Sequence, residues 1–138
     1  MILGSYELMP QDVDGVQLYA PVDYWPLSEQ AKKDLNYDCG PGKFGAIFVP
    51  STMWFLNVKA ACQIHDHMYR EGKTKFDKWV ADVTFLTNLN DIIEAKSWPV
   101  IREMRRYRAM SYFSAVRDGG DSSFWHNKQR PQLFAGIR

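Results

Sequence analysis
The run CQIHDHMY, Cys62 to Tyr69, gathers a thiol, an imidazole followed directly by a carboxylate, and a phenol within two turns of chain. If residues 57 to 71 are helical, Val58, Cys62, His65 and Tyr69 recur at spacings of four, three and four. They then share one face, with Asp66 about 100° round the axis from His65. A second helical pattern follows, in which Asp82 falls on the same stripe as Trp79, Phe85, Leu86 and Leu89. An ionised carboxylate in an apolar stripe costs several kcal/mol unless it finds a donor. Two helices joined by a short connection pack antiparallel, and His65 on the first is the donor available to Asp82 on the second. Such a pair fixes the imidazole tautomer and makes its other nitrogen the better base.

The stretch CGPGKFG, Cys39 to Gly45, supplies a different chemistry. Gly40, Gly42 and Gly45 let the backbone turn so that several carbonyls face one centre. Carbonyl oxygens with a carboxylate form a hard oxygen set suited to calcium, and Asp66 is the natural carboxylate. A rival set is Cys39, Cys62 and His65 with a fourth ligand around zinc, which the Cys-x-x-His spacing permits but which leaves the glycine loop and Asp82 without a purpose.

The elements that must position these groups divide the chain into three zones. Residues 1 to 36 hold Pro10, Pro21 and Pro26 among Asp, Gly and aromatics, and read as an extended arm with one helical turn near LSEQAKKDL, where Ser28 can cap. The middle, roughly 37 to 96, carries the glycine loop and two helices separated by REGKTKFD, with Gly72 as the stop of the first. A third helix starts near Pro99 and ends before Gly119 and Gly120. Residues 1 to 30 and 119 to 138 are expected to be arm-like extensions of a core covering about 31 to 118, with Trp125 and Phe134 as docking anchors. The expected fold is mainly α and a single domain, since 138 residues with 46% hydrophobic content bury one sizeable core. A net charge of +1 leaves no global field for nucleic acid. The N-terminus lacks a signal-peptide pattern and no run of eighteen apolar residues occurs, so synthesis in the cytosol is expected. Two cysteines allow one internal bridge at most, so the core must carry the stability. Taken alone, His67 and His126 read as surface residues, and Arg102, Arg105, Arg106 and Arg108 as a solvated face.

In combination, CGPGKFG, CQIHDHMY and ADVTF resemble, in that order, the calcium-dependent secreted-type phospholipase A2 family, in particular its cysteine-poor viral and microbial members. The resemblance covers about residues 37 to 90. It implies a pair of antiparallel helices with a glycine-rich calcium loop, to which this chain adds a C-terminal helix. It further implies that His65 activates water, that Asp82 orients His65, and that Tyr69 bonds to Asp82. Asp66 would bind Ca2+ with backbone carbonyls of Asp38, Gly40 and Gly42, the Gly40 N–H would serve the oxyanion, and Cys39 and Cys62 would form a disulfide. The implied reaction is hydrolysis of the sn-2 ester of glycerophospholipids at a phospholipid bilayer surface. Phe48, Trp54 and Phe55 are candidates for acyl contact, and the arginines for lipid phosphates. Such an enzyme would leave the cell by lysis or inside a virus particle. The alternative is a bacteriophage virion structural or assembly protein, a tail or connector component, that keeps this fold while its terminal arms bind neighbours.

Overall fold
The computed structural model describes residues 1–34, 52–53, 56–126 and 128. Three strands open the chain: β1 (Ile2–Leu3), β2 (Tyr6–Val13) and β3 (Val16–Pro21), in an antiparallel sheet ordered β1-β2-β3. The β2–β3 hairpin turns at Asp14 and Gly15, whose φ angles of 53° and 84° are the left-handed pair that a tight primed turn requires. Its register pairs Val13 with Val16 and Leu8 with Pro21. Pro10 is tolerated in β2 because the N-terminal segment bonds along that edge at Tyr6, Glu7 and Leu8, short of Pro10. Side chains alternate as the pleat demands. Tyr6, Leu8, Val16, Leu18 and Ala20 are buried, whereas Glu7 and Gln17 face solvent.

Helix α1 (Glu29–Lys33) begins at Ser28, whose hydroxyl accepts from the Ala31 N–H at 3.1 Å. A short ladder, β4 (Thr52–Met53) with β5 (Leu56–Asn57), precedes α2 (Lys59–Glu71). The remaining elements are α3 (Lys75–Lys96), α4 (Pro99–Gly119) and α5 (Asp121–Phe124). Helix α2 stops at Gly72 and α4 takes Pro99 in its first turn, as the punctuation predicts, whereas α4 runs one residue past its expected end, through Gly119, to stop at Gly120. Among the described residues the protein is therefore mainly helical with a small antiparallel sheet.

The expectation that residues 1 to 30 form an extended arm is corrected. Tyr6, Leu8, Val16, Leu18, Ala20 and Tyr24 belong to the same hydrophobic cluster as Val58, Met68, Phe85 and Leu89. The physical reason is legible in YELMPQDVDGVQLYAP, where an Asp-Gly turn is flanked by alternating residues that give a hairpin one apolar face. Asn88, fully buried on α3, joins this sheet to the helices: its amide donates to the Tyr19 carbonyl at 2.8 Å and accepts from the Tyr19 N–H at 2.9 Å. Phe124 and Trp125 are buried too, because the chain turns at Gly120 and lays α5 back on α2. Trp125 is thus a core residue and not a docking anchor. A core confined to 31–118 would lose Tyr6, Leu8, Leu18 and Phe124 from the interior, so that boundary is corrected as well.

Asp77 ties the two ends of this arrangement together. Its carboxylate accepts from the Ser5 N–H at 2.8 Å, the Ser5 hydroxyl at 2.7 Å, the Lys73 N–H at 2.8 Å and the Thr74 N–H at 3.2 Å. Thr74 Oγ1 in turn accepts from the Asp77 N–H, which completes a capping box at the start of α3. The approach is close enough to require glycine next door. Gly4 has φ +60°, and a Cβ there would lie 2.3 Å from Asp77 Oδ1. Burial alone would raise the Asp77 pKa, but donors from Ser5, Lys73 and Thr74 outweigh it and hold the carboxyl below its ordinary value. A depressed carboxyl contributes stability above its unfolded pKa and loses it as pH falls through the folded value. Asp77→Ala is therefore expected to cost about 3 kcal/mol in urea unfolding, as four hydrogen bonds to one buried carboxylate are lost at once. The wild-type urea midpoint should fall below about pH 4, and less steeply in Asp77→Asn.

Candidate active site
Helices α2 and α3 are joined by only three residues, Gly72 to Thr74, and run antiparallel. His65 meets Asp82, and one turn later on α2 the Tyr69 ring lies over Lys78, one turn earlier on α3, with the ammonium 5.7 Å from the ring centroid. The stripe expected on α2 is formed: Val58, Cys62, His65 and Tyr69 are all buried. Asp66 is fully buried as well. On α3, Phe85 and Leu89 line the interior beside Asp82, and Leu86 packs at its edge. Trp79 does not join them. It is about half exposed and stacks on Phe76 with ring centroids 5.8 Å apart. Three residues before Asp82, it lies far enough round the helix to clear the interface.

Asp82 is the centre of the site. Its Oδ1 lies 2.8 Å from His65 Nε2 and accepts from the Tyr69 hydroxyl at 2.7 Å. Its Oδ2 accepts from Lys78 Nζ at 2.9 Å. Burial pushes the carboxyl up, but His65, Lys78 and Tyr69 together outweigh that and keep it below the ordinary carboxylate range. It is therefore an anion at neutral pH, and His65 presents Nε2–H to it as a donor. That tautomer makes Nδ1 the nitrogen able to accept a proton. Burial, followed by the charge of Asp82, drives the Tyr69 phenol far above its usual value, so it remains a donor. The imidazole is wedged between rings, with centroids 4.1 Å from Tyr69 and 4.6 Å from Phe85.

Lys78 is the group that sequence reasoning missed. It is buried, and its ammonium also donates to the Val116 carbonyl at 3.0 Å and the Arg117 carbonyl at 3.2 Å, at the end of α4. Its position four residues before Asp82 was the available signal, because that spacing puts both on one helix face.

Asp66 and Tyr69 line a cleft of 420 Å³ that is also bordered by Arg70, Phe124, His126 and Lys128. The Lys128 ammonium donates to the Tyr69 carbonyl and sits 3.8 Å from the Phe124 ring centroid, and burial lowers its pKa to about 8. His126 is exposed, in line with expectation, but His67 is not a surface residue. His67 is buried against Tyr24, with Nε2 3.1 Å from Asp23 Oδ1, because the segment after β3 folds over α2. The arginines of α4 are only partly a solvated face. Arg105 is buried and donates to Ser97 Oγ at 2.8 Å, while Arg102 and Arg106 pair with Glu94.

Asp38, Cys39, Gly40, Gly42 and Gly45, the acyl-contact candidates Phe48, Trp54 and Phe55, and Phe134 lie outside the described residues. Cys62 is fully buried near the start of α2 and is not a free thiol. Among the described residues no cluster of three or more His, Cys, Asp or Glu is placed to hold a metal. Asp66 is a hard oxygen donor with a cleft beside it, and fits one corner of a calcium set. Comparison with family models, curated proteins and solved structures returns no match.

Gly120 packs closely against the Tyr69 hydroxyl that bonds to Asp82. A Cβ there would lie 2.5 Å from the Tyr69 hydroxyl and 2.4 Å from the Val116 carbonyl. Gly120→Ala is expected to displace the Tyr69 hydroxyl from Asp82 and to destabilise the protein by about 2 kcal/mol. Thermal unfolding, with near-ultraviolet circular dichroism of the aromatic cluster, checks both effects. An unchanged melting temperature and spectrum would contradict the close approach.

Proposed function
We propose that this protein is a calcium-dependent phospholipase A2-like hydrolase that cleaves the sn-2 ester of glycerophospholipids with a water activated by His65. The observation that carries the reading is the buried Asp82 carboxylate bonded at once to His65 Nε2 and the Tyr69 hydroxyl, with Asp66 adjacent in sequence to the base. It supports the role assigned to each of these residues by the resemblance. In this reading His65 Nδ1 takes a proton from water, the water oxygen attacks the ester carbonyl, and Asp82 stabilises the imidazolium that forms. The imidazolium then returns its proton to the leaving glycerol oxygen, releasing fatty acid and lysophospholipid. Asp66, with carbonyls of Asp38, Gly40 and Gly42, would hold Ca2+, which when bound supplies Lewis-acid polarisation of the ester and phosphate oxygens. The Gly40 N–H is the proposed further donor to the oxyanion. The arrangement of helices is accordingly read as the phospholipase A2-like pair.

The cleft beside Asp66 favours a phosphate-bearing substrate, since Arg70, His126 and Lys128 border it. Among the described residues no helix is long and apolar enough to cross a membrane. Binding to a bilayer surface and carriage in a virus particle are parts of the same proposal. Cys39 is the proposed bridge partner of Cys62, which would fasten the calcium loop to the start of α2.

Mixed phospholipid vesicles with calcium are the direct assay. His65→Ala and Asp66→Asn should each lower fatty-acid release by about 1,000-fold or more, with circular dichroism unchanged, because one removes the base and the other weakens the metal site. Release by either variant within tenfold of wild type, in protein checked for contaminating lipase, would overturn the assignment. The bridge has its own check. Alkylation without reductant should leave the intact mass unchanged, whereas two added groups would exclude a disulfide.

A further inference from the structure
Lys78 spends all three ammonium donors inside the protein, on Asp82 Oδ2 at 2.9 Å, the Val116 carbonyl at 3.0 Å and the Arg117 carbonyl at 3.2 Å. A buried lysine is expensive unless it is matched in charge and fully bonded. Here the match comes from two sources. One is the Asp82 carboxylate, with the more distant Asp121 Oδ1 at 3.9 Å. The other is the negative end of α4, whose last carbonyls carry the helix dipole.

We propose that Lys78 is a positioning residue for the hydrolytic reaction: by holding Asp82 Oδ2 it turns Oδ1 toward His65, and it makes the end of α4 a working part of the site. The proposal rests on the phospholipase reading for its kinetic consequence, but not for its structural one. A carboxylate has two oxygens and can present either to the imidazole. With Oδ2 anchored on Lys78, the carboxylate is held in the orientation that turns Oδ1 to His65 and Tyr69, and both bond to it. Without Lys78, Oδ2 would be buried with no donor, and the carboxylate would rotate or take up a proton to satisfy it. Either change weakens its hold on the His65 Nε2–H. The same ammonium connects three helices, since α2 reaches Asp82 through His65 and Tyr69, α3 carries Asp82 itself, and α4 supplies the two carbonyls. Gly120 lies against this junction, close to both the Tyr69 hydroxyl and the Val116 carbonyl, where a side chain would not fit.

A structural role and a positioning role differ in what a double substitution does. In the full chain with calcium and phospholipid vesicles, Lys78→Met should lower kcat about 100-fold with KM within about twofold, and Lys78→Arg should restore most of the loss. In an Asp82→Asn background, Lys78→Met should change kcat by less than about twofold, because it acts only through Asp82. Equal losses in both backgrounds, or an unchanged kcat in the single variant, would overturn the proposal. If Lys78→Met does not fold, Lys78→Gln, which keeps two donors, takes its place in the same cycle. A second readout stands apart from turnover. Nitrogen-15 NMR of the His65 ring at one fixed neutral pH should show a single Nε2–H tautomer in the wild type and a mixture in Lys78→Met. If the wild type hydrolyses no lipid, the phospholipase reading fails while the ring spectrum still decides this one, with identical spectra in the two proteins refuting it.

Discussion
A carboxylate placed between two apolar helix faces must be bonded on both oxygens, and that requirement at Asp82 organises the molecule around it. Three donors meet it: an imidazole and a phenol from α2, and an ammonium from α3 that also reaches the end of α4. The antiparallel course of α2 and α3 follows, since only that direction brings His65 to Asp82 while Tyr69 lies over Lys78. So does the turn at Gly120, because α4 must stop where its last carbonyls can receive Lys78 and where Tyr69 needs room. The hydrophobic cluster supplies most of the stability, but this polar centre restricts how the helices can be arranged within it.

The sheet has a comparable part on the other side. Tyr6 reaches across to the Met68 carbonyl on α2, Asp77 binds the Gly4–Ser5 turn, and Asn88 completes the edge of β3. Each of these is a polar side chain serving a backbone group from a distant part of the chain, and together they seat the hairpin on the helices that carry the site. The N-terminal residues thereby brace the two helices that carry His65 and Asp82.

Much of the site was legible in the chain because helical spacing carries its geometry. His65, Tyr69 and Asp82 could be placed on facing stripes from periods of three and four alone, and the three meet. Helix ends marked by Gly72, Pro99 and Gly120 were legible for the same local reason. What escaped was long-range or overridden. The Asp-Gly turn in QDVDGVQL is a local hairpin signal, but the prolines around it favoured an arm reading, and only the short β1 makes Pro10 acceptable. His67 looked like a surface residue because nothing local announces Asp23 and Tyr24 folding over it. Lys78 was passed over because a lysine at that spacing ordinarily reaches solvent, and its partners at Val116 and Arg117 are nearly forty residues away. Trp79 and Trp125 exchanged their expected surroundings, since a bulky aromatic fits either an interior or an exposed stack, and packing chooses.

The proposed chemistry needs little more than this centre and a bound cation: one base held in one tautomer, one carboxylate that does not titrate near neutral pH, and a hard-oxygen site next in sequence to the base. The claim is regiospecific as well as catalytic, and product analysis tests it most directly. Phosphatidylcholine with different acyl chains at sn-1 and sn-2 should release only the sn-2 acid, by mass spectrometry of the products, and only when calcium is present and not chelated. Release of both acids, release that persists in excess chelator, or no release from any phospholipid would contradict the account.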